Sequence, residues 1–214
     1  MEKKYLIVNT GSASHKYALY EGGSELANLR LEREGAGFAA AVIVGGVKEK
    51  VESDSTSYAS PVEFLLNTLI LKKVISDASE ILAVCFRIVA PGDYFIDNGI
   101  IDDIYLANLT KAKEEAPLHI SPILDEIRAV KKSLPLAKLF GVSDSFFHRN
   151  LPEVSARYAI PEKDYSLGVR RYGYHGISVA SVLEKIKSLP GGVPEKVIIC
   201  HLGSGSSITA IKNG

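Results

Sequence analysis

The chain has 214 residues, 46% of them hydrophobic and 23% charged, which is ordinary for a soluble globular protein with a substantial core. Lys and Arg number 25 and so do Asp and Glu, so no global field recruits nucleic acid or an anionic membrane. No run approaches the roughly 18 apolar residues of a transmembrane helix. Met1-Glu2-Lys3-Lys4-Tyr5 enters a strand-like run without a signal-peptide h-region, and a cytoplasmic location is expected. Cys85 and Cys200 each sit inside apolar strand-like runs, so buried reduced thiols are expected rather than a metal or redox pair.

In chain order, Tyr5–Val8 and Tyr17–Tyr20 are β-prone runs flanking eight polar, small or flexible residues. Gly22-Gly23 turns the chain into a strand over Ser24–Arg33, and Phe38–Val44, Gly45-Gly46 and Val47–Val51 make a second hairpin. The opening is therefore an antiparallel meander rather than a series of βαβ units. Ser60 is an N-cap, Pro61 suits the first helical position, and Glu63 completes an S-x-x-E capping box. Val62, Leu65, Leu66, Leu69 and Ile70 form the apolar stripe of that helix, which Lys72-Lys73 close. Ile81–Val89 is a buried strand ended by Pro91-Gly92. A second helix starts at Asp102 or Asp103 and is stopped by Pro117; a third begins at Ser121-Pro122 and carries Ile123, Ile127 and Val130 on one side. Leu136–Val142 is a strand and Ser178–Ser188 a helix. Lys196–Leu202 and Ser207–Lys212 flank a last turn, Gly203-Ser204-Gly205-Ser206.

The first turn, Asn9 to Lys16, holds three hydroxyls, an amide, a glycine and a lysine. Such a turn offers backbone N–H groups, side-chain donors and a point charge to an anion, most naturally a phosphate; the alternative is an ordinary Gly/Ser-rich hairpin turn. The last turn repeats its G-S-x-S pattern, as if two hairpins faced one phosphate chain. A P-loop fits poorly, because His15 rather than glycine precedes Lys16 and the chain continues as strand.

Arg87 interrupts an apolar strand, so it either reaches solvent beside Pro91 or clamps a carboxylate or phosphate through bidentate contacts. Asp144 follows a strand end, where ligands meet α/β-type sheets, and could equally cap a helix. Arg170-Arg171-Tyr172-Gly173-Tyr174-His175-Gly176 is costly to assemble for packing alone, and places His175 as a donor to charge on a transferring group. His201, at a strand end before a glycine turn, either binds phosphate or satisfies a carbonyl. His15, His119 and His148 show no metal-ligand spacing.

Together these segments resemble the acetokinase family, within the larger sugar kinase, heat-shock protein and actin group. Asn9-Thr10-Gly11-Ser12-Ala13-Ser14-His15-Lys16 resembles that family's N-[SC]-G-S-S-S-x-K signature, and Phe86–Val89 its H-R-[VI]-V segment. Ala116–His119 resembles A-P-L-H, Ser143–His148 resembles F-D-T-A-F-H, Arg170–Ser178 resembles R-R-Y-G-F-H-G-T-S, and His201–Ser207 resembles H-L-G-N-G-A-S. Departures are Phe86 for a histidine, Ala90-Pro91 for His-Gly, Ser204 for an asparagine, and a shortened Glu21–Tyr58 region. The sequence ends about halfway through the family's usual length, before the domain that supplies much of the adenosine pocket, a second arginine and a magnesium-binding glutamate.

The resemblance implies an α/β fold: a ribonuclease H-like (actin-like ATPase) domain with a mixed β-sheet flanked by helices. Residues 1–214 would be the acetokinase-like N-terminal domain, with the last ~15 residues beginning a second domain and the C-terminal domain absent. The implied reaction moves the γ-phosphoryl of ATP to acetate or a similar short carboxylate, giving an acyl phosphate. Asp144, His175 and Arg87 would be catalytic; Arg87, Val89, Leu118 and Tyr174 would hold the substrate. Ser12, Ser14, Lys16, His201, Gly203, Ser204 and Gly205 would line the phosphate path, and Asn9 and Asp144 would hold Mg²⁺. Expected partners are a small carboxylate, ATP or ADP, and a separately encoded C-terminal half or a second copy, with no nucleic acid and no membrane. The alternatives are a non-catalytic nucleotide- or partner-binding domain and, less well matched, a sugar kinase of the same group.

Overall fold

A computed structural model describes residues 3–11, 14–34, 37–52, 60–203 and 205–214. The chain divides into two compact units, residues 1–90 with 99–142, and residues 91–98 with 143–214.

The first unit is built on an eight-stranded sheet. Strands β1 (Lys4–Thr10), β2 (Ser14–Glu21), β3 (Ser24–Glu34), β4 (Gly37–Val44) and β5 (Val47–Glu52) form the antiparallel meander. Strand β6 (Ile81–Ile88) pairs parallel with β1. With β7 (Gly99–Ile100) and β8 (Lys138–Ser143) the order across the sheet is β5-β4-β3-β2-β1-β6-β8-β7. Both two-glycine hairpin turns have positive φ at each glycine (55° and 88° at Gly22-Gly23, 56° and 81° at Gly45-Gly46), the backbone that matches strand twist.

Period-two burial selects the packed face: Leu6 and Val8, Tyr17 and Leu19, Leu29 and Leu31, Ala40 and Val42 are all buried. Helices α1 (Pro61–Leu71) and α3 (Pro117–Ser133) cover the sheet, α1 packing on β3 and α3 on β1, while α2 (Asp103–Ala112) packs on α3. The Ser60 hydroxyl accepts the Glu63 N–H at 3.3 Å, as the sequence leads one to expect. The buried stripe of α1 is Val62, Phe64, Leu65, Leu66 and Leu69; Ile70, expected inside, is 39% exposed. Pro117 does not merely stop α2. It opens α3 at a position where a missing N–H costs nothing, and Pro122, expected as a start, lies inside the helix. The first turn is shorter than its composition suggests, because Asn9 and Thr10 end β1 and Ser14–Lys16 begin β2.

In the second unit, helix α6 (Gly176–Lys187) packs on a two-stranded antiparallel sheet of β9 (Lys196–His201) and β10 (Ser207–Lys212). Val179, Leu183 and Ile199 form its centre, with Phe147, Val193, Val197 and Ile211 against them. Short helices α4 (Glu153–Ala156) and α5 (Glu162–Tyr165) complete it. Residues 91–98 are pinned there by Ser143, whose hydroxyl donates to the Phe95 carbonyl (2.5 Å) and whose N–H donates to Asn98 Oδ1 (2.8 Å). Neither cysteine is fully buried as expected: Cys85 is partly exposed and Cys200, on the outer side of β9, is exposed.

Candidate active site

The expected residues fall into two groups, one in each unit. In the first, Asn9, Ser14, Lys16, Arg87, Val89 and Leu118 all line one cavity of about 190 Å³. Parallel pairing explains part of this: Val8 is opposite Phe86, so Asn9 and Arg87 leave neighbouring strands side by side. An Arg87 Nη1 donates to Asn9 Oδ1 at 3.3 Å. Alternation sends Arg87 to the side opposite Phe86, which is 1% exposed and part of the core. The cavity therefore combines a guanidinium and an ammonium with the apolar sides of Val89 and Leu118. That composition suits a small anion with a short hydrocarbon end.

Two features of this unit escape sequence reasoning. Thr10 lines the same cavity, and its Oγ1 is buried without a hydrogen-bond partner among the described residues. Glu126, on α3, is buried at 3% exposure beneath the turn. Tyr17 donates its hydroxyl to Glu126 Oε1 at 2.6 Å, and His15 Nδ1 lies 2.9 Å from Oε2. Burial, then the Glu126 charge, raises the Tyr17 phenol above its ordinary value. The signal was present in the sequence, since Glu126 sits at helical spacing within the stripe Ile123, Ile127 and Val130.

The second group gathers around the start of α6. Asp144 is 1% exposed and does not cap a helix of its own. Its Oδ2 accepts the His175 N–H at 2.8 Å and its carbonyl accepts the Gly176 N–H at 2.8 Å. His175 is left-handed (φ 64°), and a Cβ on Gly176 would come within 2.6 Å of the Asp144 carbonyl oxygen, so glycine is required there. The His175 and His201 rings stack at 4.2 Å between centroids, 25° from parallel. His175 Nδ1 is 2.9 Å from Ser207 Oγ, and His201 Nδ1 is 2.9 Å from Ser178 Oγ. A Cβ on Gly205 would lie 3.9 Å from both Cε1 and Nε2 of His175, so this edge of the ring faces the glycine turn of Gly203 and Gly205.

Tyr174, expected beside Arg87, Val89 and Leu118, belongs to the second unit and lines a cavity of about 500 Å³ there with His148 and Arg171. Burial lowers the His148 imidazole, outweighing a bond to the Tyr174 backbone and the Asp144 charge that raise it. Ser12 and Ser204 lie outside the described residues. Among the described residues no three His, Cys, Asp or Glu side chains converge as a metal cage. Mg²⁺ needs none, since it is commonly held by one or two carboxylates, waters and substrate phosphates. The buried carboxylate of Asp144 fits such use, whereas Asn9 Oδ1 already accepts from a cationic guanidinium.

A mixed sheet of antiparallel meander and parallel β6, flanked by helices, is that of the actin-like, ribonuclease H-like fold class, in agreement with the solved structures that match. Within that class the chain belongs to the acetokinase family, whose model matches residues 4–214. An acetate kinase of Limosilactobacillus fermentum is 38% identical over 218 residues, covering 99% of this chain and 55% of that protein. The crystal structure of Porphyromonas gingivalis acetate kinase matches with a TM-score of 0.86 at 35% identity, covering 99% of this chain and 55% of that one. A propionate kinase from Francisella tularensis matches at 0.83 and 28% identity, covering 98% and 54%. The chain thus spans about half the length of the relatives it matches.

Proposed function

We propose that these residues serve transfer of the γ-phosphoryl group of ATP to acetate or a similar short carboxylate, giving an acyl phosphate. The observation that carries the reading is the first-unit cavity, where Arg87 and Lys16 meet Val89 and Leu118. Family membership supplies the reaction class.

A carboxylate nucleophile is ionised near neutral pH and has no proton to surrender, so no general base is required. Arg87 holds the carboxylate and offsets its repulsion from the phosphoryl oxygens. Ser14 and Lys16, with Ser12, bind phosphate oxygens from the first turn. Gly203 and Gly205, with Ser204 and His201, offer donors from the last. His175 stabilises charge on the transferring group, and Val89 and Leu118 take the substrate's apolar end, while Tyr174 lines the separate cavity of the second unit. Mg²⁺ carried with the nucleotide would be held by the Asp144 carboxylate and would neutralise phosphate charge; Asn9 Oδ1, engaged by the Arg87 guanidinium, is not assigned to it. Residues 1–214 are then the acetokinase-like N-terminal domain of a cytoplasmic enzyme, its β9–β10 hairpin opening the second domain. A separately encoded C-terminal half or a second copy is the partner expected.

Trapping with hydroxylamine after incubation with ATP, Mg²⁺ and acetate tests the reading in the complete enzyme. Arg87→Ala and His175→Ala should each lower hydroxamate yield by about tenfold or more; unchanged turnover in either variant removes that residue's role. The rival, a non-catalytic binding domain, would rest on the replacement of family residues flanking Arg87. Phe86 and Ala90 are core residues at 1% and 3% exposure, so these replacements leave the guanidinium in its cavity. ADP binding without hydroxamate from any acid would favour the rival.

A further inference from the structure

We propose that Ser207 and Ser178 are positioning residues that fix His175 and His201 as their Nε2–H tautomers. The stacked rings then offer N–H donors to an oxyanion. The inference rests on the phosphoryl-transfer reading for what those donors meet, and on the geometry of the second unit alone for the rest.

The arrangement is crosswise. Helix α6 contributes His175 at its start and Ser178 in its first turn; the hairpin contributes His201 at the end of β9 and Ser207 at the start of β10. Each histidine bonds the serine of the other element, both at 2.9 Å and both through Nδ1. His201 and Ser207 are also direct partners across the β9–β10 ladder, which fixes their spacing. Stacking holds the two ring planes together.

The choice of serine has a chemical consequence. A neutral imidazole carries one proton, and the partner of Nδ1 decides where it sits. A carbonyl or carboxylate can only accept, which forces Nδ1–H and leaves a bare lone pair on Nε2 that repels an anion. A hydroxyl can donate. When Ser207 donates to Nδ1 of His175, the ring proton resides on Nε2, the nitrogen that faces the Gly203–Gly205 turn. Ser178, donating to Nδ1 of His201, puts that ring's proton on Nε2 in the same way. Neither ring then needs a full charge to donate to a phosphoryl oxygen, and neither repels the other as two stacked imidazolium ions would.

Long-range ¹H–¹⁵N spectra of histidine-labelled chain at a pH of about 8.5, well above the ordinary imidazole value, read the tautomers directly. Signals are assigned with His175→Asn and His201→Asn. Both rings are expected as Nε2–H in the unaltered chain. Ser207→Ala should convert His175 to a tautomer mixture and leave His201 unchanged; Ser178→Ala should do the reverse; Ser207→Thr, which keeps the hydroxyl, should restore the first pattern. Nδ1–H rings in the unaltered chain, or serine variants that shift neither ring, overturn the proposal. ADP, added to the complete enzyme, serves as probe: it should perturb both rings, and Ser207→Ala should weaken its binding by about tenfold. Nε2–H rings that respond to the serines but not to ADP bound by the complete enzyme support the serine-set tautomers and overturn the role given to His175 and His201 in phosphoryl transfer instead.

Discussion

Glu126 shows how much one residue can hold. Its carboxylate, buried at 3% exposure, keeps two partners on β2, Tyr17 and His15, directly behind Ser14 and Lys16. Removing one side of a buried hydrogen-bonded charge leaves the other groups stranded, and Glu126→Ala should cost about 3–5 kcal/mol in urea unfolding. Tyr17 carries a pH signature. Its folded-state phenol is raised, so it contributes stability present below the ordinary value of about 10 and lost as pH rises beyond it. Alkaline unfolding should flatten in Tyr17→Phe. His148 works in the opposite sense. Its imidazole is lowered by burial, so below about pH 6.5 the unfolded chain takes up the proton first and stability falls with pH. His148→Gln should reduce that slope. Next to it, Gly173 has φ 65° and a Cβ there would meet His148 Cγ at 2.6 Å, so Gly173→Ala should destabilise the second unit, seen as earlier loss of its amide protection from exchange.

At the scale of elements, strand β1 is fastened at its start as well as along its ladders. Lys4 Nζ donates to Glu80 Oε2 at 2.7 Å and lies 3.1 Å from Glu21 Oε1. Glu80 in turn accepts the Ser76 N–H at 2.5 Å. The bond from Lys4, then the Ser76 N–H, lowers the Glu80 carboxyl to about 2, and the bonds to Glu80 and Glu21 raise Lys4. A lowered carboxyl contributes stability present above the ordinary carboxylate value and lost as pH falls. The junction of β1 and the turn before β6 should therefore loosen between about pH 4.3 and pH 2, and Lys4→Met should shallow the acid limb of the unfolding curve. The strands themselves were legible because period-two burial and two-glycine turns are local signals. Helix starts were legible where a side-chain cap marks them, at Ser60 and Asp102. Pro117 and Pro122 misled, because the same ring that ends one helix is also tolerated at the start of the next.

For the molecule as a whole, 25 positive and 25 negative side chains leave no net charge at pH 7. Self-association, read by light scattering at low ionic strength, should peak near that pH and fall about equally on either side. No described helix is long and apolar enough to cross a membrane. Composition also separates the two thiols only after folding: a thiol reagent should modify exposed Cys200 first, since burial raises the Cys85 thiol.

The sequence by itself determined the strands of the meander, the capped helices and the residue types of both turns, because these follow from periodicity and local hydrogen bonding. It also carried the family, through short motifs kept in order. Tertiary structure alone decided which residues meet. The parallel pairing of β1 with β6 set Arg87 beside Asn9, and the packing of α3 on β1 buried Glu126 under the first turn. In the second unit, packing of α6 on the last hairpin crossed two histidines with two serines. Contacts between segments remote in sequence depend on strand order and helix placement, and no local pattern encodes either.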